Sequence, residues 1–169
     1  YPISRSLNMY TTGEPTGIAL EFLKYLDSEE GQTIVTDEGF VPKTSTGPYV
    51  EVEGLTGSIT VVGSTTVLPI AQLAAEAFNA LYGTSLVAVS GGGSSVGVQS
   101  VGEGTAAIGM ASRELKSSEI ASYPTLVKHI VCNDGIAVII HPDNPYVTDL
   151  TLEEVKAIYE GTYTNWDEL

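Results

Sequence analysis

Cysteine, positive charge and long apolar runs are all scarce in this chain of 169 residues. The one cysteine, Cys132, excludes a disulfide within the chain and a metal site built from several cysteines. Because Cys132 lies in the apolar stretch LVKHIVC, we predict a small core residue rather than a reactive thiol. No apolar run approaches the length needed to span a membrane.

The shortage of positive charge excludes a class of partners. Lys and Arg number 7 against 21 Asp and Glu, which gives a formal net charge of −14. A field of that sign repels phosphate backbones and anionic membranes, so we expect no nucleic-acid partner. It does not exclude a small anion, because backbone N–H and hydroxyl dipoles act at short range in a dry pocket.

Start and targeting signals are also missing. The sequence has no signal peptide and no lipidation motif, and it begins in mid-pattern at Tyr1-Pro2 without a methionine. We therefore expect a mature product or a cut piece of a longer chain.

The sequence does contain a regular alternation of strand-like and helix-like segments. In residues 1–42 we predict an extended segment at 3–10, a helix from about Pro15 and a second helix opened by Ser28. Further along, the pattern predicts strands at 58–63, 85–90, 106–110, 126–132 and 135–141, the last two joined by a turn at Asn133-Asp134, and helices at 67–82, at 96–102, from 117 and from a capping box at Thr151 and Glu154. This alternation predicts an α/β fold, a three-layer sandwich with a mainly parallel sheet.

Polar loops follow three of the predicted strands, at residues 63–66, 91–95 and 111–113. In an open α/β sheet, ligands sit beyond the carboxyl ends of the strands. The first turn of each following helix leaves N–H groups unpaired, and glycines let the backbone approach a ligand closely. Hydroxyls and a guanidinium added to those amides make a donor-rich site suited to a tetrahedral oxyanion.

Each loop also has a purely structural explanation. Ser and Thr are good helix caps, and three glycines at 91–93 are also typical of a flexible turn without a ligand. Arg113 can pair on the surface with Glu114 or Glu119. The occurrence of all three loops at the same end of three successive strands favours the anion site.

Motifs of enzymatic chemistry are missing. The sequence has no Walker A loop and no GxSxG elbow, and the dinucleotide-like match at 102–107 precedes a strand instead of following one. His129 and His141 lie in apolar strand patterns without ligand-like spacing. We expect no enzyme and no cofactor, and a phosphatase-like enzyme is the least favoured hypothesis.

The loops and their flanks resemble the phosphate-binding protein of bacterial and archaeal ABC phosphate importers. The resemblance rests on ITVVGSTTVLPIAQLAAEAFN, VSGGGSSVGVQSVGEGTAAIGMASRELKSSE and GIAVIIHPDNPYVTDLTLEEVKAIYEGTYTNWDEL. It implies one lobe of a type II periplasmic-binding-protein-like fold in an extracytoplasmic location. It also implies inorganic phosphate or a similar tetrahedral oxyanion as ligand and an ABC transporter permease as partner.

The loops and the resemblance together give the candidate phosphate contacts, which are Ser64, Thr65, Thr66, Ser94, Ser95, Ser112 and Arg113. The resemblance implies that Thr65 acts through its hydroxyl and N–H, and Thr66 mainly through its N–H. Some family members carry, after the serine of the third loop, an Asp that accepts a proton from the anion. Here that place holds Arg113, and we expect an arginine to favour the more negative anion and to tolerate any tetrahedral oxyanion.

The segments occur in an unexpected order. Residues 1–42 resemble the family's carboxy-terminal part, residues 58–169 resemble its amino-terminal part, and the linker 43–57 joins them into one domain. The family's second lobe, with its further phosphate loop, is absent from this sequence. A cut across two tandem copies, the favoured explanation, and a permuted chain both account for the order. We expect a half-site that binds phosphate weakly; the alternative function is an interaction or surface module without a transport role.

Overall fold

The computed structural model describes residues 3–169, which form two compact units. The larger unit spans Ser4–Gly135. It contains strands β1 (Ser4–Thr12), β2 (Ile59–Gly63), β3 (Val87–Gly91), β4 (Ile108–Ala111) and β5 (Leu126–Gly135), and helices α1 (Gly17–Asp27), α2 (Glu29–Asp37), α3 (Leu68–Tyr82), α4 (Ser94–Gly102) and α5 (Ser117–Ser122). The smaller unit holds Ile3 and Ile136–Leu169, with helix α6 (Leu152–Tyr159) and a short 3-10 turn at Trp166–Glu168.

The five strands form one open sheet in the order β3-β2-β4-β1-β5. Strand β2 pairs in parallel with β3 and β4, whereas β1 is antiparallel to both β4 and β5. Four of the five strands therefore run in one direction, and β1, from the first segment of the chain, is the reversed one. The predicted α/β fold class is confirmed.

Helices cover both faces of the sheet. Successive side chains of a strand point to opposite faces, and both faces carry apolar residues that the helices bury. In β1, Leu7 and Met9 join the larger core cluster, which also contains buried residues of α1, α2 and α3. Tyr10 joins a second cluster with Val98 and Val101 of α4. The sheet is thus the middle layer of the predicted three.

Local signals set the ends of several helices. The Ser28 hydroxyl accepts a hydrogen bond from the Gly31 N–H at 3.3 Å and so caps α2. Helix α3 has a proline in its first turn and ends at Gly83, whose φ of 64° lies in the left-handed region. In the smaller unit, Thr151 and Glu154 form the predicted capping box of α6.

The sequence prediction was wrong for residues 126–141. Instead of two strands joined by a turn at Asn133-Asp134, the structure has one ten-residue strand, β5. Strand β1 lies beside it and pairs Ser6 with Asn133 and Arg5 with Asp134, where the Arg5 guanidinium binds the Asp134 carboxylate at 2.8 Å. Pairing with β1 therefore keeps Asn133-Asp134 in an extended conformation, although this dipeptide is typical of turns.

The predicted linker, residues 43–57, contains no helix or strand and is part of the larger unit. The Thr46 N–H donates to the Asp27 carbonyl at 2.9 Å. Further on, the Tyr49 hydroxyl lies 2.8 Å from that of Tyr82 and 3.3 Å from a carboxylate oxygen of Glu21. The role of residues 43–57 as the connector of two family segments stays a prediction.

Two further features concern burial and length. Cys132 is fully buried, as predicted for a core residue, and this burial raises the pKa of its thiol to about 12. Within residues 3–169 no helix combines the length and the apolarity that crossing a bilayer requires.

Candidate anion-binding site

The three polar loops begin at one edge of the sheet. Strands β3, β2 and β4 are parallel neighbours, and the register places Gly63 opposite both Gly91 and Met110. The chain therefore leaves all three strands at the same level. The loops predicted from the sequence lie side by side, at the carboxyl ends of the strands.

Close backbone contacts hold these loops together at Gly63 and Gly97. A side-chain carbon built on Gly97 would lie 2.5 Å from the Met110 carbonyl oxygen and 2.9 Å from the Gly63 Cα. Gly63 has a φ of 144°, and a side chain there would also collide with Met110. The first turn of α4 thus rests directly on the ends of β2 and β4, an approach that only glycine allows.

The first loop separates the roles of its three hydroxyl residues. Ser64 is 2% exposed, and its N–H donates to the Met110 carbonyl at 3.0 Å. Its hydroxyl accepts a hydrogen bond from the Thr66 N–H at 3.2 Å, and Ser64 thereby stabilises the turn. The Thr66 N–H, which we expected to bind the anion, therefore already has a partner. Thr65 is exposed, and no hydrogen bond within residues 3–169 uses its hydroxyl.

The second and third loops are joined by Ser94 and Ser112. The Ser94 hydroxyl accepts a hydrogen bond from the Ser112 N–H at 3.2 Å and lies 3.4 Å from the Ser112 hydroxyl. Ser94 and Ser95 form the start of α4, where the backbone N–H groups have no partner within the helix. The helix dipole adds positive partial charge at this point, which favours an anion.

Arg113 borders this group but does not present a free guanidinium. Its two terminal nitrogens each donate to one carboxylate oxygen of Glu119 at 2.8 Å, and one of them also donates to the Ser95 hydroxyl at 3.0 Å. The pairing lowers the pKa of Glu119 and raises that of Arg113. The ion pair that the sequence left open is present, with Glu119 as the partner of Arg113. The expected preference of Arg113 for the more negative anion stays a prediction.

Two residues beside the site were missed by sequence reasoning. Asn8 of β1 is fully buried, and its side-chain amide donates to the Arg113 carbonyl at 3.3 Å. Tyr10 is buried in the cluster with Val98 and Val101 of α4, and this desolvation raises its pKa to about 12. No sequence signal points to Asn8, since its contact depends on the pairing of β1 with β4.

The three loops present neutral donors of the kind that suit an oxyanion. The hydroxyls of Thr65, Ser94 and Ser112 and the free N–H groups at the start of α4 lie at one sheet edge. Such donors hold negative charge without a compensating cation when they are fixed in place.

Comparisons with known proteins show the family to which the chain belongs. A family model described as a PBP superfamily domain matches residues 50–169. Over 170 residues the chain is 34% identical to phosphate-binding protein PstS 2 of Streptococcus pneumoniae serotype 4, covering 100% of this chain and 57% of that protein. It is 34% identical over 117 residues to phosphate-binding protein PstS of Bacillus subtilis, covering 69% of this chain and 39% of that protein.

A solved structure is similar over nearly the whole chain. It is the crystal structure of a phosphate-binding protein of a phosphate ABC transporter from S. pneumoniae TIGR4, with a TM-score of 0.84 and 33% identity. The match covers 99% of this chain and 64% of that one. The chain thus spans less than two thirds of these pneumococcal relatives.

The chain belongs to the PBP superfamily, and the resemblance to phosphate-binding proteins that its sequence predicts is confirmed.

Proposed function

We propose that this chain is the phosphate-binding lobe of an extracytoplasmic solute-binding protein that supplies an ABC phosphate importer. The observation that carries the proposal is the link between Ser94 and Ser112, which brings the start of α4 and the end of β4 into one donor cluster. The names of the relatives support phosphate as the ligand and an ABC transporter as the partner.

The binding mode follows from the free donors of the three loops. Thr65 offers its hydroxyl and N–H, Ser94 and Ser95 offer the N–H groups of the first turn of α4, and Ser112 offers its hydroxyl. Ser64 supports the turn from its buried position, and Thr66 lies at the rim with its N–H engaged by Ser64. The proposed role is binding without chemical change of the anion, and it is supported by the names of the relatives as binding proteins.

Binding to these residues alone is expected to be weak. Hydrogen bonds to charged groups contribute about 1.5–3 kcal/mol each, so a site without two or three donors from an opposing lobe loses on the order of 3–9 kcal/mol. That loss moves a sub-micromolar dissociation constant towards about 1 mM. In a two-lobed protein, closure of the lobes would add those donors and exclude water.

Titration of the ¹⁵N-labelled chain with inorganic phosphate tests the proposal by NMR. We expect the largest shifts at the N–H groups of Thr65, Ser94 and Ser95, and weaker binding in the variants Thr65→Ala and Ser94→Ala. The variant Ser100→Ala, at the other end of α4, is the matched control and should bind like the wild type.

Two outcomes would overturn the proposal in different ways. If phosphate causes the same NMR shifts in Thr65→Ala and Ser94→Ala as in the wild type, the proposed site is wrong. The chain would then be a domain of this fold with a surface or interaction role. Calorimetry that gives sub-micromolar binding to a monomer would refute the half-site, although not phosphate as the ligand.

A further inference from the structure

Almost all N–H donors of the Arg113 guanidinium are already hydrogen-bonded. Each terminal nitrogen donates one hydrogen bond to Glu119. The second N–H of Nη2 donates to the Ser95 hydroxyl, and that of Nη1 donates to the Glu114 carbonyl at 3.0 Å. Only the Nε–H is left without a hydrogen bond in the described part of the chain. An anion can bind the fork of Arg113 only after Glu119 has moved away.

Glu119 is itself held in place. Its side chain is 14% exposed, and one carboxylate oxygen also accepts a hydrogen bond from the Lys116 N–H at 2.8 Å, at the start of α5. The neighbouring carboxylate, Glu114, is 63% exposed and bound to Lys128 at 3.0 Å. The ion pair with Arg113 is therefore a fixed part of the structure, and Glu119 is its one carboxylate.

The pair borders the proposed phosphate site on two sides. Arg113 directly follows Ser112, and its Nη2 lies 3.0 Å from the hydroxyl of Ser95, which directly follows Ser94. A positive charge on Arg113 would act on any anion bound at the start of α4, because the guanidinium contacts Ser95 there and is only partly exposed to water.

We propose that Glu119 is a specificity-determining residue of the anion site, because it holds Arg113 and neutralises its charge there. This inference rests on the proposed function. A bare guanidinium attracts a dianion more strongly than a monoanion. Sulfate carries two negative charges at neutral pH. Phosphate is then a mixture of the dianion, which retains one proton, and the monoanion, which retains two, so its mean negative charge is smaller. By cancelling the charge of Arg113, Glu119 reduces the advantage of sulfate and leaves selection to the N–H and hydroxyl donors.

The test compares two single charge removals, Glu119→Gln and Glu114→Gln, in the full chain. Dissociation constants for phosphate and for sulfate are measured by NMR titration at pH 7 and constant ionic strength. In Glu119→Gln the dissociation constant for sulfate should fall about three- to fivefold relative to that for phosphate, the effect of one partly exposed charge. In Glu114→Gln the ratio should stay within about twofold of the wild type.

The double variant Arg113→Gln, Glu119→Gln shows whether the charge of Arg113 is the cause. It removes both charges, so its ratio of sulfate to phosphate binding should return to that of the wild type. A ratio in Glu119→Gln equal to that in Glu114→Gln would overturn the inference. A shifted ratio that persists in the double variant would also overturn it.

Two further controls keep the outcomes distinct. Circular dichroism melts show whether Glu119→Gln folds; if it does not, Arg113→Gln takes its place and should weaken sulfate binding more than phosphate binding, with equal weakening counting against the inference. Wild-type protein that binds sulfate but shows no shifts with phosphate would overturn the proposed function itself, and the role of Glu119 with it.

Discussion

The hydroxyl of Ser94 accepts a hydrogen bond from the backbone N–H of Ser112 at 3.2 Å. This bond joins the first turn of α4 to the end of β4, and the Gly93 N–H joins the same turn to the Gly63 carbonyl of β2 at 2.9 Å. Three loops that are far apart in sequence are thus fixed to one another before any ligand arrives. Donors fixed in this way bind an anion without the cost of ordering the loops.

Replacement of Gly97 by alanine should destabilise this frame. The new methyl group would lie 2.5 Å from the Met110 carbonyl oxygen and 2.8 Å from that of Val62, and backbone atoms cannot move aside cheaply. We expect the free energy of unfolding to fall by about 1–3 kcal/mol or more, together with weaker phosphate binding. Urea denaturation followed by circular dichroism measures the first effect, and NMR titration the second.

Gly91→Ala is the matched control for that experiment. The nearest atoms to its new methyl group are side-chain carbons, at 3.3 Å in Leu68 and 3.6 Å in Thr65, and these can adjust. Its loss of stability should be clearly smaller than that of Gly97→Ala. Equal stability of the two variants would show that the contact between α4 and the strand ends is looser than the structure indicates.

The sequence was sufficient where a structure depends on neighbours in the chain. The hydroxyl of Ser28 and the capping box of Thr151 and Glu154 act within one helical turn, and both were predicted. The positions of the three polar loops were also predicted, because each loop follows a strand that its own periodicity reveals. Local pattern thus predicted the parallel half of the sheet and the edge where the candidate site lies.

The sequence was insufficient where a distant segment decides the outcome. Asn133 and Asp134 have the composition of a turn, and only the pairing with β1 makes them part of a strand. The charge of Arg113 suggested a free anion ligand, whereas the fold brings Glu119 onto both of its terminal nitrogens. Whether Ser64 faces solvent or the interior also depends on how the turn lies against Met110, which no spacing rule gives.

Loss of the Tyr49 hydroxyl should weaken the attachment of residues 43–57. In Tyr49→Phe the ring still packs on Tyr25, but the hydrogen bonds to Tyr82 and Glu21 disappear. We expect the free energy of unfolding to fall by about 1 kcal/mol in urea denaturation. The control is Tyr159→Phe, at a residue that is 86% exposed, which should leave stability unchanged; a similar loss in both variants would argue against the contact.

A glutamate-specific protease should distinguish the predicted linker from the domain that it connects. Glu51 and Glu53 are exposed in the segment without regular structure, whereas Glu76 is also exposed but lies inside α3. Because cleavage requires an extended backbone that a helix does not offer, we expect cuts after Glu51 or Glu53 well before any cut after Glu76. Mass spectrometry of the early fragments identifies the sites, and a first cut after Glu76 would contradict the domain boundaries.

The stability contributed by Glu119 should depend on pH in one direction. Hydrogen bonds from Arg113 hold the pKa of Glu119 below its usual value of 4.5, so the folded state binds a proton less readily than the unfolded state. The resulting stability is fully present above the unfolded pKa and is lost as the pH falls through the lower, folded pKa. The difference in unfolding free energy between wild type and Glu119→Gln should therefore be constant from about pH 7 to pH 5 and shrink towards pH 3. Urea denaturation at each pH measures it. A difference that stays constant down to acid pH would show that packing of the side chain, and not its charge on Arg113, provides the stability.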